Sequence, residues 1–191
     1  GDIWANGSIT GDTIKVGGDI DGNITANTGD IDSSITAGGN VDGEIWANVN
    51  IDGDVVANGD INGNVTANSG DITGNIGAGG NIDGEVFAGD DIDGANIFAG
   101  EDINGNVTAN GDIVDTNIMA GGNIDGDIWA INGNIQDSNI DAGGNITVGT
   151  IIDTAATNLV QLTTTAGTIN ELTTTDDASP VTDITSGSLK L

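Results

Sequence analysis

From Gly7 to Val148 one short pattern of apolar and polar positions recurs: Gly, Asp or Asn, Ile or Val, any residue, Gly, any residue, Ile or Val, any residue, Ala, then a Gly or Asn turn. The stretches "NGDINGNVTANSG" (58–70), "GGNIDGEVFAG" (79–89) and "GGNIDGDIWA" (121–130) are variants of this phrase. Its first apolar anchor, from Ile9 and Ile20 through Ile146, returns every 10 or 11 residues. Its second anchor, from Ile3 and Ile14 through Ile140, is followed two positions later by Ala in nearly every unit. Period-two alternation on β-branched anchors predicts strands, and the Gly and Asn clusters predict turns. Glycine at this density excludes helix. Asn-Gly pairs would suit the hairpins of an antiparallel meander. Equal units too small to bury a core alone instead predict stacking, so the expected fold is all-β, a parallel β-solenoid.

A longer period lies above the short one. "GNITANTGDIDSSITAGGNVDGEIWAN" (22–48) returns as 63–89 and again as 105–130, a shift of 41 or 42 residues, or four units. Charge decides whether a coil holds four units or two. In a four-unit coil Glu44, Glu85 and Asp127 would stack directly, as would Asp19, Asp60 and Asp102. Rungs lie about 4.8 Å apart, so each like pair would be unfavourable by about 3 kcal/mol at an effective dielectric near 20. A two-unit coil stacks Asp19, Asn40, Asp60, Asn81, Asp102 and Asn123, alternating carboxylate with amide. It does the same for Asn23, Glu44, Asn64, Glu85, Asn106 and Asp127. Four units carry one extra residue between anchors (Ile9–Ile14, Ile92–Ile97, Ile113–Ile118, Ile135–Ile140), and all four fall on the same half of such a coil. The expectation is roughly seven coils of about 21 residues, a rod near ~35 Å long.

After Val148 the phrase stops. The remainder is Thr-rich, poor in Gly, and holds the single proline, Pro180, while its alternation still reads as strand. Residues 1–149 are read as the repetitive solenoid and 150–191 as a β segment that caps it or couples it to another subunit, because an open solenoid end invites strand pairing. The chain opens at Gly1 in mid-phrase and without Met, which is read as a sign that something upstream was removed.

Charge and composition then narrow the partners. Thirty acidic residues against two lysines, Lys15 and Lys190, give a formal net charge of −28. Phosphate recognition needs Lys and Arg, so nucleic acid and anionic membrane surfaces are not expected as partners. No apolar run approaches the roughly 18 residues of a membrane-spanning helix, so membrane insertion is not expected. The chain has no His, Cys or Tyr, and its two cations are both Lys, so it has no Arg. Nucleophile–base pairs, thiolate sites and guanidinium clamps are therefore missing. Carboxylates alone could act, as in glycoside hydrolysis, but the repeat singles out no pair of them, and an enzyme is not expected.

The phrase Ile/Val-x-Gly-x-Ile/Val-x-Ala, as in "NIDGDIWA" and "NVDGEIWA", resembles the core of bactofilins, polymer-forming bacterial cytoskeletal β-solenoids. It is also similar to the repeat arrays of secreted adhesins of the filamentous-hemagglutinin type. Both resemblances imply a solenoid without catalysis, and the first implies head-to-tail polymers. The extreme acidity and the near absence of Lys depart from bactofilins and point to an extracellular or cell-surface setting.

Three sets of residues carry candidate chemistry. The aromatics Trp4, Trp46, Phe87, Phe98 and Trp129 all occupy the outward position between the second anchor and Ala. Four of them share one face in every second coil, with Thr25, Thr66 and Thr108 between, which reads as a lateral contact surface. Rings lying over the neighbouring Thr rungs would need no partner. Asp19, Asp21, Asp52, Asp54, Asp125 and Asp127 place carboxylates at alternate positions beside a Gly, oxygen donors of the type hard cations such as calcium favour. The bland alternative is ladders and turns of Asx side chains. Asn6, Asn23, Asn64, Asn106 and Asn145 stand in glycosylation sequons, four of them spaced to suit a single row. Outward Thr residues are too interrupted for a flat ice-binding array. The functional expectation is a non-catalytic structural subunit of an extracellular homopolymer, stacking end to end through residues 150–191. The alternative is a calcium-dependent adhesin stalk or a module that binds cell-surface glycan.

Overall fold

The structure is a computed structural model and describes residues 1–148, 151–152, 160–171, 184–185 and 189–190. It is a parallel β-solenoid of about seven turns, with no helix among the described residues.

Each turn crosses four sides. The first side is a seven-stranded parallel sheet of short segments: Ile3–Ala5, Ile24–Ala26, Ile45–Ala47, Val65–Ala67, Val86–Ala88, Val107–Ala109 and Ile128–Ala130. A second sheet, of nine strands, runs from Thr13–Val16 through Ser138–Ala142 and on to Val160–Thr164 and Leu189–Lys190. Between the sheets run two columns of parallel bridges. One joins Ile9, Ile31, Ile51, Ile72 and Ile92, and the other joins Ile20, Val41, Ile61, Ile82, Ile103, Ile124 and Ile146. The first column widens into two-residue strands at Ile92–Asp93, Ile113–Val114 and Ile135–Gln136.

Register fixes the coil length. Ile24 pairs with Ile45 and Ile45 with Val65, steps of 21 and 20 residues. Neighbouring rungs are therefore two sequence units apart, and a 41-residue coil is excluded. Every turn contributes four β-branched anchors to one continuous core, with Ala filling the remaining space; Ile31 through Ile118 are buried at every anchor. Burying each such side chain contributes about 1.5–3 kcal/mol, repeated at every level.

The Gly of each phrase has a steric cause. Gly43, Gly63, Gly84, Gly105 and Gly126 sit where an added Cβ would lie 2.0–2.1 Å from the carbonyl oxygen of the Gly one turn before. On the other half of the coil a Cβ at Gly53 or Gly74 would lie 2.2 Å from the carbonyl oxygen of Ser33 or Gly53, and then the rule changes. Ala95, Thr116 and Ser138 take the equivalent corner and are buried. Each is preceded by the extra residue of its unit, held at positive φ: Gly94 at 68°, Asp115 at 49° and Asp137 at 47°. At these three levels a left-handed residue precedes the corner side chain, whereas Ser33 is buried at the same corner, below Gly53, without one. The two hydroxyls there form a short internal ladder: Thr116 N–H donates to Ser138 Oγ (3.2 Å), Thr116 Oγ1 to Val114 O (2.9 Å) and Ser138 Oγ to Gln136 O (2.8 Å).

Parallel winding continues into the C-terminal segment. Val160–Thr164 pairs in register with Ser138–Ala142, and Ile169–Glu171 with Ile146–Val148. Most of 150–191, and with it the expected capping or coupling role, lies outside the described residues. No described helix is long and apolar enough to cross a membrane.

Candidate functional site

The outward positions of the first sheet form a regular surface along the axis. In register along it run Trp4, Thr25, Trp46, Thr66, Phe87, Thr108 and Trp129. Strand alternation puts them outside, since Ile or Val and Ala on either side are turned into the core. Rings therefore recur every second rung, about 9.6 Å apart. Trp4 and Trp129 are 63% and 43% exposed, and Trp46 and Phe87 are half-buried. Thr108, in register between Phe87 and Trp129, is only 6% exposed. Phe98 belongs to the other sheet, in register with Gly77 and Met119, and is not part of the row.

A second column flanks the rings. Two residues before each ring stands a carboxylate: Asp2, Glu44, Glu85 and Asp127. Two residues before each Thr stands an amide: Asn23, Asn64 and Asn106. The face is thus built of two alternating rungs, carboxylate with ring and amide with hydroxyl.

The Asx residues of the expected columns are load-sharing parts of the backbone network. Asn40 N–H donates to Asp19 Oδ1 (2.9 Å), Asp60 N–H to Asn40 Oδ1 (2.9 Å), Asn81 N–H to Asp60 Oδ1 (2.8 Å) and Asp102 N–H to Asn81 Oδ1 (2.9 Å). Each side-chain oxygen thereby satisfies an amide at a corner where the sheets leave it unpaired. Asn75 and Asn96 extend such a ladder beside the second sheet, both N–H and Nδ2 donating to the Oδ1 below. Beside the rings, the ladder runs from Asp2 to Asn23 and from Asn23 to Glu44, then lapses. Glu44 and Glu85 accept nothing from the following rung, whereas Asn64 and Asn106 again accept from Glu85 and Asp127 N–H (2.9 Å each).

The six carboxylates expected to bind metal are spread over three levels as pairs. Asp19 is a ladder acceptor, Asp52 Oδ1 accepts from Thr73 Oγ1 (2.7 Å), and Asp54 Oδ1 accepts from Asn75. Asp21 and Asp125 are exposed, and Asp127 donates its N–H to Asn106 Oδ1. None of the six joins a group of three carboxylates. Among the described residues that arrangement occurs at Asp71, Asp90 and Asp91, whose carboxylate oxygens lie within 4.8 Å of one another. They were not anticipated from the sequence, although the doubled acid of "GDD" (89–91) marks the place. Asp71, Asp91 and Asp112 follow one another in a single column, where carboxylate is stacked on carboxylate.

The sequon residues Asn23, Asn64 and Asn106 share the column beside the rings. Asn145 stands elsewhere, above Asn123 in the Asp19 column, so the expected row of four is a row of three. Asn6 is exposed after Trp4. Comparison with protein-family models, curated proteins and solved structures returned no match.

Proposed function

We propose that this protein is a non-catalytic structural subunit of an extracellular homopolymer, a filament, sheath or surface layer in which solenoids stack end to end. The observation that carries the reading is the uniformity of the rungs. Turn after turn presents the same strand donors and acceptors along the axis, with an unbroken column of Asx oxygens from Asp19 to Asn123, so strand addition between copies would use the contacts already made within one. The absence of His, Cys, Tyr and Arg from the sequence supports a role without catalysis. This is the mode of assembly that the bactofilin resemblance implies. Negative-stain microscopy of the purified full chain tests it. Filaments of constant width are the expected result, and a chain that stays monomeric at high concentration, with and without calcium, overturns it.

A second reading, an adhesin stalk or glycan-binding module, is favoured by one observation: the strict alternation of carboxylate-ring and amide-hydroxyl rungs on a single face. The core gains nothing from an outward ring. The two readings meet if stacked rods present this face to their surroundings.

A further inference from the structure

We propose that the ring face binds an extended β-1,4-linked glycan that carries amino groups, lying along the solenoid axis. The inference rests on reading the ring row as a contact face and names its partner.

Spacing is the first argument. In a two-fold β-1,4 chain each sugar is turned over relative to the last, so the same face and the same edge recur once per disaccharide. That repeat is close to two rungs, ~9.6 Å, which is the separation of Trp4, Trp46, Phe87 and Trp129. The C–H face of every second sugar then meets the electron-rich face of a ring. The Thr rung between supplies a hydroxyl at Thr25 and Thr66. The row from Trp4 to Trp129 crosses six rung intervals, about 29 Å, or three disaccharides.

Charge is the second. Asp2, Glu44, Glu85 and Asp127 line one edge of the row at the same two-rung interval, so one edge of amino groups falls opposite one edge of carboxylates. Neither lysine is on this face: Lys15 and Lys190 both lie in the other sheet. A second copy would bring the same carboxylates against these, at −28 per chain, and uronate or sulfated glycans would be repelled likewise.

The third argument is a broken local rule. An Asp or Asn at 44 and 85 would accept the N–H of the next rung, as Asn23, Asn64 and Asn106 do. Glu, one methylene longer, gives up that bond at both places. Both departures occur beside a ring, and each leaves a carboxylate clear of the ladder. Local rules broken without structural gain mark functional positions.

Binding of a β-1,4-linked glucosamine hexasaccharide to the full chain, followed by calorimetry and tryptophan fluorescence, tests the proposal. The expected result is binding that tightens with oligomer length up to the hexasaccharide. It weakens at least tenfold in Glu44→Gln/Glu85→Gln and in Trp46→Ala/Trp129→Ala, whose far-UV circular dichroism matches the parent. Cellohexaose and the fully N-acetylated hexasaccharide bind at least tenfold more weakly. Equal binding of all three sugars, no binding of any, or hexalysine binding as tightly with the Trp variants unaffected each overturns the proposal. So does lateral bundling of the parent that is lost in Trp46→Ser/Trp129→Ser with no sugar bound, which makes a second copy the occupant while leaving the homopolymer standing. Filaments without glycan binding, and glycan binding without filaments, separate the two readings.

Discussion

Asn81→Asp isolates the electrostatic rule that sets the coil length. Asn81 lies between Asp60 and Asp102, donating its N–H to Asp60 Oδ1 at 2.8 Å and accepting from Asp102 N–H at 2.9 Å. The substitution keeps an acceptor oxygen in place and changes little but charge. It brings a carboxylate within one rung of two others. At ~4.8 Å and an effective dielectric near 20, each pair is unfavourable by about 3 kcal/mol as an upper figure. The three positions are half-buried, and solvent screening of such groups brings the expected total to about 2 kcal/mol at low ionic strength. For a chain of this size that lowers the melting temperature by about 4–8 °C. In 1 M salt the screening length falls to about 3 Å, shorter than a rung, and most of the deficit disappears.

Thermal unfolding followed by circular dichroism at low and at high NaCl checks this. Asn81→Leu is the control: it removes the acceptor of Asp102 N–H, with an expected loss of about 1–3 kcal/mol that salt does not restore. An Asn81→Asp chain that melts with the parent at low salt refutes the reasoning. So does a deficit that persists unchanged at 1 M.

The converse holds at Asp91, stacked between Asp71 and Asp112: Asp91→Asn keeps the acceptor and raises the melting temperature in chelator and low salt, the gain shrinking as NaCl or calcium is added. Gly84→Ala, whose Cβ would meet Gly63 O at 2.1 Å, destabilises by about 1–3 kcal/mol in denaturant titration. Gly77→Thr, in a strand with no heavy atom within 4 Å of its Cβ position, is neutral or stabilising by about 0.5 kcal/mol in the same titration. Ser138→Ala removes the oxygen that accepts Thr116 N–H in a buried corner, and loses about 1–3 kcal/mol by the same measurement.

The fold was legible because its determinants are periodic. Anchor spacing defines the unit, and the alternation of Asp with Asn along 19, 40, 60, 81, 102 and 123 picks the two-unit coil over the four-unit coil before any coordinate is known. Geometry within a column was less legible. A column list shows that Asn40 lies above Asp19, but not that the Asp19 oxygen turns along the axis to take the Asn40 amide proton. Three consecutive acids at 71, 91 and 112 obey the same 20- and 21-residue steps yet contradict the alternation. Their aspartates stay useful as acceptors even where their charges repel. The extra residues at 94, 115 and 137 were visible as insertions, but not their conformation: each takes a positive φ just before a buried corner residue, Ala95, Thr116 or Ser138.

The same distinction bears on the ring face. Outward aromatics can be read from alternation alone, and the half-burial of Trp46 and Phe87 shows that part of their area is already used within the chain. What alternation does not explain is the choice of Glu at 44 and 85. The ladder asks that position for an oxygen within reach of the next amide, which Asp2, Asn23, Asn64 and Asn106 supply and Glu44 and Glu85 do not. A solenoid selected only for its own stability would continue the ladder through both rungs. The two glutamates forgo it where the rings stand, and at the same two-rung interval, so ring and carboxylate act as one recurring unit directed away from the core.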